Sequence, residues 1–112
     1  MSTVNNLAGR RCKPCADGMP PLSQAEADKL MKQLVGWQRF DHLIGKTYRF
    51  KDYYQTIAFV NAIAWMSHRE DHHPELTASY NSCHVEYTTH AIHGLSENDF
   101  ICATKVDALF KI

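Results

Sequence analysis

The stretch Ser67-His68-Arg69-Glu70-Asp71-His72-His73-Pro74-Glu75-Leu76 is where this chain changes its period. Upstream, Asp52 can cap a helix, with Gln55 three residues on. Tyr53, Ile57, Val60, Ala64 and Trp65 run along one side of that helix. Ala58, Phe59, Ala62 and Ile63 make it apolar over most of its girth, which predicts a central position. It turns polar at Ser67 and must stop before Pro74, whose ring disfavours helical geometry in the preceding residue. Downstream, Leu76–Tyr80 reads as a strand and Asn81-Ser82 as a tight turn. Cys83–His90 then alternates with period two. Cys83, Val85, Tyr87 and Thr89 share one face, and His84, Glu86, Thr88 and His90 the other.

The flanks extend this pattern. On the N-terminal side, Ser23-Gln24-Ala25-Glu26 fits the capping-box spacing S-x-x-E, followed by Ala27, Leu30, Met31 and Leu34 at helical intervals and by Gly36 as a stop. Trp37–Phe40 is extended, Asp41–Gly45 contains a turn, and Lys46–Phe50 alternates, which predicts a hairpin. On the C-terminal side Gly94 breaks the strand pattern. Ser96-Glu97-Asn98-Asp99 is a second capping box with Asp at its last position, and Phe100, Ile101, Ala103, Val106, Leu109 and Phe110 belong to a final helix. The order α-β-β-α-β-β-α predicts an α+β fold, a four-stranded antiparallel sheet with helices on one face. Residues 1–21 read as a flexible N-terminal segment carrying Cys12-x-x-Cys15, and residues 22–112 as a single domain.

The 112 residues are 45% hydrophobic and 21% charged, with a formal net charge of zero. That balance gives no electrostatic footprint for nucleic acid or an anionic membrane. No apolar run approaches the roughly 18–20 residues that span a bilayer, and Met1–Gly9 lacks the apolar stretch of a signal peptide. The expectation is a cytoplasmic protein with four reduced cysteines. A chain this short buries only roughly 60–65% of its unfolded surface, so self-association would add useful burial.

Histidine exchanges protons near neutral pH without special tuning. His68, His72, His73, His84, His90 and His93 crowd the helix-to-strand junction and the strand and turn downstream of it. Each has an ordinary reading when taken alone. His72 and His73 suit a helix C-terminus, where the macrodipole favours imidazolium. His84, His90 and His93 suit a surface, Asp99 is explained by capping, and Glu75 and Glu86 by solvation. His68 and His72 stand four apart and could share a metal, but the glutamate of the zinc-protease motif is missing after His68. Cys12 and Cys15 form one C-x-x-C with no second pair, short of the four ligands zinc requires.

The joint spacing is more telling. His68-x3-His72-His73-Pro74-x5-Tyr80-x9-His90-x8-Asp99 resembles the signature of the pterin-4a-carbinolamine dehydratase family, also called 4a-hydroxytetrahydrobiopterin dehydratases, at seven positions across 32 residues. The similarity extends over most of Leu22–Phe110, including Val35-Gly36-Trp37, Phe50-Lys51-Asp52 and Gly94-Leu95-Ser96, and the Cys-containing lead resembles bacterial members.

The resemblance implies four antiparallel strands with helices on one face, assembled as a homodimer or homotetramer. It implies a hydro-lyase that dehydrates 4a-hydroxytetrahydropterin to quinonoid dihydropterin, recycling the cofactor of aromatic amino acid hydroxylases, one of which could be a partner. Pterin is then the substrate, and neither a metal nor an organic cofactor is implied. By position, His72, His73 and His90 would be catalytic and pterin-binding, with Asp99 in support. His68, Pro74 and Glu75 would contribute to substrate binding. His68 stands where many members carry glutamate.

The chemistry suits such residues. Hydroxide leaves a hemiaminal carbon poorly, so an acid must protonate it while a base takes the proton of the ring nitrogen. Two histidines can hold opposite protonation states if their surroundings differ. The competing readings are a non-catalytic pterin-binding, dimerisation or regulatory partner protein, and a metal module built on His68, His72 and Cys12/Cys15.

Overall fold

The computed structural model describes residues 7–14 and 19–111. The Ser23 side chain accepts the Glu26 N–H, and the Glu26 carboxylate accepts the Ser23 N–H, so the capping box starts α1 (Gln24–Met31) as expected. The helix ends five residues before Gly36. Tight bonds from Gln33 N–H to Leu30 O and from Leu34 N–H to Met31 O end it and leave Leu34 buried. Gly36 follows at φ +83°, in the left-handed region that side chains avoid. From there the chain enters β1 (Gln38–Phe40) and, through the two residues Asp41-His42, β2 (Leu43–Arg49).

Asp52 Oδ1 accepts the Gln55 N–H at 2.9 Å and starts α2 (Tyr53–Glu70). Asp71 ends it in the left-handed region at φ +54°. β3 (Glu75–Ala78) and β4 (Ser82–Tyr87) follow, and α3 (Glu97–Phe110) closes the chain. β4 stops three residues short of His90. Thr89 and Gly94 instead bridge each other, with the Thr89 N–H on Gly94 O at 3.0 Å. His90–Ile92 between them forms a single 3-10 turn, so His90 sits on a turn and not on the polar strand face.

The sheet order is β1-β2-β4-β3, antiparallel throughout. Crossing by α2 sends β3 to the far edge, and β4 returns to pair with β2 at Ile44↔Tyr87, Lys46↔Val85 and Tyr48↔Cys83. That register puts Ile44, Tyr48, Cys83, Val85 and Tyr87 in one core with Phe59, Ile63 and Met66 of α2 and Phe100, Ile101 and Val106 of α3. Thr47, Arg49, His84 and Glu86 occupy the opposite sheet face, by strand alternation. The expected α+β architecture, helices on one face of a four-stranded antiparallel sheet, is the one observed. No helix among the described residues is long and apolar enough to cross a membrane.

Within the lead read as flexible, Leu7 is only 2% exposed and belongs to the core cluster, and Leu7–Gly9 packs on α3. Cys15 lies outside the described residues.

Asp107 of α3 ties the last helix to the first hairpin. Its carboxylate accepts the Tyr48 hydroxyl, Lys46 Nζ at 2.9 Å and Trp37 Nε1 at 3.2 Å. Three donors lose their acceptor if it is removed, so Asp107→Ala should lower unfolding free energy by about 2–3 kcal/mol in urea titration. Burial, and then Asp107, push the Tyr48 phenol far above its ordinary range. A raised folded pKa means that this contribution is complete below the unfolded value and fades as pH rises past it. Stability should therefore decline above about pH 10. Tyr48→Phe should make that decline shallower by up to about 1.4 kcal/mol per pH unit, with Tyr87, raised likewise by burial, accounting for part of the remainder.

Candidate active site

The end of α2, the turn after β4 and the start of α3 meet at one place. Beyond Asp71 the His72 N–H bonds back to Ser67 O at 3.2 Å, which closes the helix end and turns the His72 ring inward. The ring stacks on Tyr87 of β4, with centroids 5.6 Å apart and planes 14° apart. Its Nε2 lies 2.6 Å from Asp99 Oδ1. A carboxylate only accepts, so Nε2 carries the proton and Nδ1 is the ring nitrogen left for other work.

Asp99 has no exposed surface. As the third residue of α3 it accepts the Ser96 N–H on Oδ2 at 2.9 Å, the capping role read from its spacing. The same Oδ2 takes the Thr89 hydroxyl at 2.9 Å, and Thr89 Oγ1 lies 2.7 Å from Ser96 Oγ. Capping thus uses one oxygen and leaves the other to fix His72. In sequence, capping and histidine-holding are alternative explanations of Asp99; in space they are two ends of one carboxylate.

His72, His73 and His90 line one cavity of about 480 Å³, with Thr89 and Asn98. His73 and His90 are exposed, whereas the His72 side chain is 12% exposed. His68 and Pro74 line an adjoining hollow of about 390 Å³ that shares His72 and His73 with the first. Glu75 faces a third, of about 300 Å³, which shares Thr88 and His90 with the first. The four residues expected to be catalytic are therefore brought together, while His68, Pro74 and Glu75 border the site without lining its main cavity. Among the described residues, no three His, Cys, Asp or Glu side chains form a group that could hold a metal. The His68/His72 helical pair is broken because His72 lies past the end of α2 and is committed to Asp99.

One wall of the main cavity was not expected. Cys12, Lys13 and Pro14 line it, strapped across α2 and α3. The Cys12 N–H donates to Glu70 Oε1 at 2.9 Å. Asn98 brackets Lys13, accepting its N–H at 3.0 Å and donating to its carbonyl at 2.6 Å. Burial would raise the Glu70 carboxyl, but the Cys12 N–H together with Lys105 and Arg11 holds it below the usual carboxylate range. Thr89 and Asn98 could be suspected from sequence only as a strand residue and a capping-box filler. The strap carries no periodic signal, since its partners lie 58 to 90 residues away.

Residues 20–109 match the sequence model of a family described as pterin 4 alpha carbinolamine dehydratase. A relative from Nitrosospira multiformis, named provisionally as a pterin-4-alpha-carbinolamine dehydratase, is 63% identical over 99% of this chain and 98% of its own. Another from Nitrosomonas europaea, named in the same way, is 64% identical over 99% of each. A Brucella melitensis crystal structure described as a transcriptional coactivator/pterin dehydratase superposes with TM-score 0.76 at 31% identity, covering 80% of this chain and 97% of that one. A pterin dehydratase-like protein described as a RuBisCO assembly factor in the alpha-carboxysome gives TM-score 0.55 at 26% identity, over 65% of this chain and 84% of that one. With the family model matching residues 20–109 and relatives more than 60% identical over nearly the whole chain, the chain belongs to the pterin-4a-carbinolamine dehydratase family.

Proposed function

We propose that this chain dehydrates 4a-hydroxytetrahydropterin to quinonoid dihydropterin and water by histidine acid–base catalysis, without metal or organic cofactor. The observation that carries the reading is the convergence of His72, His73 and His90 on one cavity, with His72 held by a buried carboxylate. A cavity of about 480 Å³ falls in the range of small-molecule sites, about 300–1,000 Å³. In the reaction the bond from C4a to its hydroxyl oxygen breaks, and the oxygen takes a proton from an acid and leaves as water. The ring nitrogen gives its proton to a base as the C=N bond forms. His73 is assigned the main acid–base role. His72 and His90 bind the pterin and share proton transfer, and Asp99 sets the tautomer and orientation of His72. His68, Pro74 and Glu75 are assigned to the rim that receives the rest of the substrate.

In this reading the enzyme recycles the pterin of an aromatic amino acid hydroxylase in the cytoplasm and works as a homodimer or homotetramer. The open edges of β1 and β3 support self-association. A second reading, a pterin-binding or regulatory protein without turnover, is favoured by the coactivator and assembly-factor descriptions of the two structural relatives.

Stopped-flow absorbance on freshly generated 4a-hydroxytetrahydropterin separates the two. Acceleration by the protein is expected, and its loss by at least about tenfold in folded His73→Ala would match the usual worth of one acid–base group. Full activity in that variant would refute the assignment to His73, and absence of acceleration by wild-type protein would favour the binding reading. Asp99→Asn keeps an acceptor for Ser96 and Thr89 but turns a donor toward His72, reversing its tautomer. Turnover should fall at least about tenfold while stability changes by less than about 2 kcal/mol. Loss of stability with unchanged turnover would leave Asp99 as a helix cap alone.

A further inference from the structure

The strap that walls the cavity brings two thiols together. Cys12 Sγ lies 3.5 Å from Cys102 Sγ, between residues 90 apart in the chain. The approach is built from both sides. The residue bearing Cys12 Sγ is anchored by its own N–H on Glu70, Lys13 beside it is bracketed by Asn98, and Leu7 upstream is buried in the core. Cys102 is fully buried on α3. Bonding the sulfurs needs their separation to shrink by about 1.5 Å, to the S–S length of about 2.05 Å.

We propose that Cys12 and Cys102 form a redox modification site, a reversible disulfide that staples the N-terminal strap to α3 beside the histidine cavity, with a peroxide as oxidant. The two sulfurs differ in access. Cys12 is half-buried and lines the cavity, so a small peroxide reaches it. Cys102 is closed to solvent, and its hydrogen bond with Cys12, together with burial, holds it strongly in the thiol form. Cys12 is therefore the sulfur that is oxidised and Cys102 the one that resolves it. Hydrogen peroxide transfers one oxygen to Cys12, giving the sulfenic acid and one water. The Cys102 sulfur then attacks the Cys12 sulfur, the S–O bond breaks, and the hydroxyl leaves with the Cys102 proton as a second water. Two thiols have lost two electrons and two hydrogens to one peroxide. A low-molecular-weight dithiol reverses the step by exchange. The staple fixes Cys12 and Lys13 as a wall of the cavity and closes a loop of about 90 residues, which constrains the unfolded chain.

The test uses the full chain, treated with a slight excess of hydrogen peroxide, alkylated, digested without reductant and mapped by mass spectrometry. A cross-linked peptide pair containing Cys12 and Cys102, two hydrogens below the summed masses and released by dithiothreitol, is expected. With it the melting temperature should rise by at least about 5 °C. Cys12→Ala, a substitution in the strap that leaves α3 intact, should abolish both effects, and Cys15→Ala should preserve both. A Cys12–Cys15 or intermolecular cross-link in wild-type protein would overturn the proposal. So would Cys12 advancing to the sulfinic acid while Cys102 remains alkylatable after unfolding.

Discussion

Three donors reach the two oxygens of Asp99, a carboxylate without exposed surface at the start of α3. A buried carboxylate is costly unless its lone pairs are used, and here each donor comes from a different part of the chain. Ser96 N–H comes from the helix start, the Thr89 hydroxyl from the end of the sheet, and His72 Nε2 from the end of α2. The constraint runs both ways. α3 must begin where Thr89 can reach it, so β4 must end early and the His90–Ile92 turn must fill the gap. α2 must end so that His72, freed by the left-handed Asp71, turns back toward the same carboxylate. The placement of His72 follows from satisfying one buried carboxylate.

Much of this was legible because it is written in short-range patterns. The caps at Ser23 and Asp52 and the alternation of Cys83 to Tyr87 each depend on residues within one or two turns of each other, and each appears where the spacing predicts it. The end of α1 and the end of β4 were misplaced for a common reason. Both segments keep their period past the point where tertiary contacts stop them: Leu34 is buried from a tight turn, and Thr89 leaves the ladder to pair with Gly94. Periodicity reports which residues are buried, not which element buries them. Spacing thus identifies His90 as a site residue, while alternation assigns its backbone to the wrong element.

The strap shows the limit more sharply. Leu7 and Cys12 are isolated in a segment rich in proline and glycine, and neither lies in a periodic pattern. Their partners Glu70, Asn98 and Cys102 lie on two helices that are distant in sequence and adjacent in space. The strap also lies outside residues 20–109, the part that matches the family. The histidines and their carboxylate fall within the part that matches the family model, and the lead ahead of it supplies one wall of the cavity they line.

The most direct measurement is imidazole-nitrogen NMR of the seven histidines, assigned by substitution, with and without a stable dihydropterin. His72 should show the Nε2–H tautomer in the free protein, and added dihydropterin should shift His72, His73 and His90 together while His84 stays unmoved. A His72 ring protonated at Nδ1 alone, or a dihydropterin response confined to histidines outside this trio, would contradict a single pterin pocket organised by Asp99.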